Sequence, residues 1–146
     1  MSQLKDTIQR LRNLDAQRDA LLNIPDTIKI LELEHEGLKA TQTDGISVSG
    51  GGENHQEEAM LNNIMRRQNL LRDFDRTKQE VEQLEAAMNK LTAEDRMVLN
   101  TFFVNRPHNY IDYLSEELHC ERPTVYRKKD RALLELTRRL CGQINL

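Results

Sequence analysis

The chain has no tryptophan, aromatic residues make up 4% of its 146 positions, and glycine and proline together supply nine. That scarcity argues against an all-β sandwich and leaves an all-α fold as the expectation. Two cysteines, Cys120 and Cys141, are too few for a disulfide framework. No apolar run approaches the ~20 residues of a membrane span, and no signal-peptide pattern is visible, so a reducing cytoplasm is the expected setting and no membrane is expected as a partner. Basic and acidic side chains nearly cancel at a net charge of −3, which neither supports nor excludes nucleic acid, because a basic face can sit on an acidic chain. What is abundant is charge itself, 31% of residues against 38% hydrophobic, a balance that suits a small domain joined to an extended helical part.

Four segments follow from the pattern. Over residues 1–40, Ile8, Leu11, Leu14, Leu21 and Leu22 recur at helical spacing, Pro25 is expected to break the helix, and Ile28, Leu31 and Leu38 resume it, with Ile24 and Ile30 broadening the apolar surface. Residues 41–54, TQTDGISVSGGGEN, lack large apolar side chains and read as a flexible Gly-rich linker. Residues 55–91 read as a long helix in which Met60, Ile64, Leu71, Phe74, Val81, Leu84, Met88 and Leu91 approach a seven-residue repeat. Its stripe needs a partner. Either the N-terminal helices fold back on it as a hairpin or coiled coil, or a second copy makes it a homodimer seam.

Residues 92–146 carry the most specific signal. Thr92 with Asp95 three positions on marks a helix start, followed by Val98, Leu99, Phe102 and Phe103 and stopped by Arg106-Pro107. A short second helix is expected after Asn109, capped by it and supported by Asp112, with Ile111, Leu114 and Leu118 facing inward. A turn at His119 and Cys120 leads to a third helix over 122–140, inward at Val125, Ala132, Leu133, Leu136 and Leu140. Three helices of these lengths, the last two tightly joined, outline a helix-turn-helix. Between Arg122 and Arg139 seven basic residues face two acidic ones, while residues 1–91 hold twelve basic against sixteen acidic. The cations are therefore concentrated on the last helix, with Arg127 and Arg131 directed away from its apolar stripe.

LTAEDRMVLNTFF, followed by YLSEELHCERPTVYRKKDRALLEL, resembles region 4 of bacterial sigma factors, the helix-turn-helix that binds the promoter −35 element. Leu91, Thr92, Val98 and Leu99 match its first helix, Leu114, Ser115 and Leu118 its second, and Thr124, Val125, Ala132, Leu133 and Leu136 its third. His119 stands where that family often has glycine, and Glu121 where it usually has a Ser or Thr cap. Residues 1–91 lack the clusters of region 2, so a complete sigma factor is not expected. The layout as a whole is similar to phage and prophage regulators of the RinA/ArpU type, activators of late-gene transcription. The resemblance places the family's DNA-reading positions on Arg122, Pro123, Tyr126 and Arg127, and implies base-edge contacts from Arg122 and Arg127 and phosphate contacts from Thr124, Lys128, Lys129 and Arg131. Double-stranded DNA, host RNA polymerase and a second copy of the chain are the partners it implies, in the cytoplasm of a bacterial host cell. A small terminase subunit recognising a packaging site, or an inhibitor that occupies RNA polymerase, would use the same elements.

No metal or other cofactor is expected, since His108, His119, Cys120 and Cys141 show no Cys-x-x-Cys or close His pair. His35 and His55 read as solvated. SVSGGGEN lacks the ending and the preceding strand of a phosphate loop. No nucleophile and base pair stands out, so no enzyme activity is expected.

Overall fold

The structure, a computed structural model, describes residues 2–43 and 52–142, with side-chain burial assigned for 2–40 and 55–142. The described residues are helical throughout, without strands: α1 (Gln3–Thr43), α2 (Gly52–Asn89), α3 (Ala93–Leu99) running into a π-helical turn (Asn100–Val104), α4 (Tyr110–Leu118) and α5 (Arg122–Cys141). None of these helices is long and apolar enough to cross a membrane. Of the expected linker 41–54, residues 44–51 lie outside the described residues, whereas 41–43 and 52–54 are helical ends of α1 and α2.

Pro25 does not break α1, which is a correction to the expected pair of N-terminal helices. A proline inside a helix forfeits one backbone hydrogen bond and crowds the carbonyl four residues before it. Inward-facing side chains on either side, Leu21 and Ile24 before it and Ile28 and Leu31 after it, keep one continuous apolar stripe, and its burial outweighs that loss.

The chain divides into two compact units, residues 19–78 and residues 1–18 with 79–146. In the first, α1 and α2 lie antiparallel. Asn63 Nδ2 donates to the Leu31 carbonyl at 2.8 Å, and Gln56 Nε2 donates to the Leu38 carbonyl at 2.7 Å. Arg67 Nε donates to Asn63 Oδ1 at 2.9 Å, so the buried amide uses both of its ends. The inward positions of α2 here, Met60, Asn63, Arg67, Leu70, Phe74 and Thr77, alternate by three and four residues, the spacing of a coiled-coil seam. Leu71 was expected in that seam but is 50% exposed, and Leu70 takes the inward place. Leu22 and Ile30 of α1 are likewise exposed.

The other unit joins both ends of the chain. Leu11 and Leu14 of α1, Val81, Leu84 and Met88 of α2, Val98 and Leu99 of α3, Leu114 of α4, and Val125, Ala132, Leu133 and Leu136 of α5 are buried in it. Thr137 Oγ1 donates to Thr7 Oγ1 at 2.9 Å, and Thr7 Oγ1 donates to the Gln3 carbonyl at 3.0 Å, so a relay of hydroxyl hydrogen bonds joins α5 to α1 inside the core. Arg10 and Gln17 donate to Gln83 and Glu80 at 2.9 and 2.7 Å, and Arg18 meets Glu85 at 3.0 Å. The segment expected as a domain from residue 92 onward thus shares one compact unit with earlier parts of the chain. Its wall is completed by the first 18 residues and the end of α2. In both units inward positions of α2 pack against α1 of the same chain, while Leu71 of the expected stripe stays exposed.

Candidate nucleic-acid interface

The scaffold under the basic residues is built from short-range chemistry. Thr92 caps α3 as expected, its Oγ1 accepting the Asp95 amide at 3.1 Å. After Leu99 the helix widens by one residue, closed by the Asn105 amide on the Asn100 carbonyl at 2.8 Å. This π turn, which the sequence pattern does not signal, leaves Phe102 buried and Phe103 half-buried against the cluster of Val98, Leu114 and Val125. Phe102 meets Tyr110 and Tyr126 edge-on at 5.2 and 5.9 Å between centroids, so one ring anchors the starts of α4 and α5.

Asn109 begins α4 but makes no side-chain cap, contrary to expectation. Asp112 is not used for capping either. Its carboxylate accepts from Arg122 Nη2 at the start of α5. The chain then reverses through His119, which adopts the left-handed conformation at φ 53°. The His119 amide donates to the Glu116 carbonyl at 3.3 Å and the Cys120 amide to the Ser115 carbonyl at 3.1 Å, the paired bonds of a Schellman ending. Half-buried Cys120 packs on the core behind the turn. A side chain at this φ costs about 1–2 kcal/mol that glycine avoids, part of which returns as glycine's greater freedom when unfolded. His119→Gly is therefore expected to stabilise the protein by about 0.5–1 kcal/mol, read as a raised urea midpoint.

Glu121 precedes α5 without a side-chain cap, and Pro123 occupies the first turn, where its missing amide costs no hydrogen bond. The eight expected contact residues then separate into three groups. Arg122, Pro123, Tyr126, Arg127 and Arg131 are exposed. Thr124 is half-buried, its amide bonded to the Glu121 carbonyl at 3.0 Å. Lys128 and Lys129 depart from expectation. Lys128 Nζ lies 2.9 Å from Glu94 on α3, with its side chain 21% exposed. Lys129 Nζ bonds Asp130 at 2.6 Å and stands 5.8 Å from the centre of the Phe102 ring. At about 100° per residue Lys129 falls within the buried stripe and Lys128 at its edge, which is why their charges turn back to the protein.

Arg127 and Arg131 make no hydrogen bond or ion pair among the described residues. They lie one turn apart on the outer face of α5. Arg138, which the sequence reading did not single out, falls within roughly 40° of them on a helical wheel and pairs with Glu135 at 3.1 Å. Its spacing of seven residues from Arg131 and eleven from Arg127, which returns a helix to the same face, was the signal that could have found it. The exposed side of α4 has the opposite sign, with Asp112, Glu116 and Glu117.

Cys120 and Cys141 are free thiols, and no group of three or more His, Cys, Asp or Glu among the described residues is placed to hold a metal. No family model, no curated protein and no solved structure matches this chain.

Proposed function

We propose that α4, the turn at His119 and α5 act as a helix-turn-helix that binds double-stranded DNA, and that the protein regulates transcription with RNA polymerase in the manner of region-4-like phage late-gene regulators. The observation that carries this reading is the pair Arg127 and Arg131, two exposed guanidinium groups on one face of α5 that have no partner among the described residues. An unpaired arginine matches the two acceptors on the major-groove edge of guanine, or a phosphate, without first breaking an internal bond. The acidic outer side of α4 repels phosphate, so DNA is engaged through α5 and its N-terminal turn, Arg122, Pro123 and Tyr126, rather than through α4. A single module of this size buries little DNA surface, and operator-level selectivity then calls for a second copy or polymerase.

The test is selection of bound duplexes from a random pool, followed by titration at several salt concentrations. A selected sequence is expected, with affinity falling as salt rises at a logarithmic slope near −0.9 per phosphate contacted. Recovery of no preferred sequence together with a flat salt response would refute the reading.

A further inference from the structure

We propose that Asp112 is a specificity-determining residue of this interface: its carboxylate holds the Arg122 guanidinium in the orientation that reads one base pair. The inference rests on the DNA-binding reading above. Arg122 is the first residue of α5, Asp112 sits in the first turn of α4, and the two are joined across the angle between the helices by Nη2 to Oδ1. Their side chains are 66% and 55% exposed, so the pair contributes little to folding and calls for another reason to exist.

Geometry supplies that reason. The bond engages one N–H of a guanidinium that has five, leaving most of a rigid fork for an external acceptor pair such as guanine O6 and N7. A free arginine loses rotamer freedom when it binds a base edge, whereas one already held has lost it on folding. Both residues line an open groove with His108, Asn109, Tyr110 and Tyr126, so the pair is accessible to a ligand edge. The same carboxylate repels the phosphates of every sequence equally. Asp112 therefore lowers affinity for DNA in general and sharpens preference at one position, two effects of opposite sign that a merely structural ion pair would not produce.

The experiment uses full-length protein and the duplex that wild type selects from a random pool. Wild type, Asp112→Ala, Arg122→Ala and the double variant are titrated with that duplex, with single-base-pair variants of it and with a random-sequence duplex, after thermal melting has verified that each is folded. Asp112→Ala is expected to bind random duplex several-fold more tightly and to lose about tenfold of the preference at one G·C pair. Arg122→Ala should lose preference at that same pair, and the double variant should lose no more than either single one. Undiminished preference in Asp112→Ala, or losses at different pairs for the two single variants, would overturn the proposal while leaving DNA binding intact. A wild-type protein that selects no sequence would overturn the DNA-binding reading and this proposal with it.

Discussion

Protein carrying Arg127→Ala together with Arg131→Ala is expected to bind its selected duplex about a hundredfold more weakly than wild type, with the salt slope reduced by up to ~1.8. Two contributions make up that loss. A well-formed base contact from an arginine is worth ~1–3 kcal/mol of discrimination, and each phosphate contact removed takes about 0.9 from the slope. Neither residue is bonded to the rest of the protein among the described residues, so the double variant should melt as wild type does. Lys128→Ala is the informative contrast. That ammonium already bonds Glu94 and its side chain is 21% exposed, so its removal should cost far less binding than either arginine. Titration by fluorescence anisotropy at 50–200 mM salt, an interval over which such contacts weaken by orders of magnitude, separates the two. An undiminished affinity in the double-arginine variant would end the case for α5 as the DNA-reading helix.

Leu14→Ala should destabilise the protein by about 2–5 kcal/mol, the range for deleting a fully buried leucine whose cavity cannot close. Leu14 is completely buried in the unit that also holds α3, α4 and α5. The effect should therefore appear as loss of α5 packing, with DNA binding failing at the same denaturant concentration as the helical signal. Urea unfolding followed at once by circular dichroism and by anisotropy of bound duplex tests it. If binding survived in Leu14→Ala beyond the loss of half the helix, the first turns of α1 would be no part of the support for the interface. Leu22→Ala, at a position 73% exposed, serves as the control and should change stability little.

Much of the helical content was legible, and for a specific reason. Thr92 with Asp95, and the run Val125, Ala132, Leu133 and Leu136, are local signals, because a cap bonds three residues away and a helix presents the same face every three to four residues. The start of α5 at Arg122 and the place of Pro123 in its first turn were readable in the same way. His119 is a mixed case. The position was visible as one that favours glycine, but that histidine accepts φ 53° there depends on the two amide bonds that close the turn.

What the order of residues determined by itself was the all-helical content, the capped start of α3, the extent of α5 and the concentration of positive charge on it, all set within a few residues along the chain. Continuity through Pro25, the π turn before Arg106, the pairing of Thr7 with Thr137, the inward turn of Lys128 to Glu94 and the capture of Arg122 by Asp112 were decided by tertiary structure. The pairings join groups 10 to 130 positions apart, and in each a side chain bonds whichever partner packing brings within about 3 Å, which no local spacing encodes.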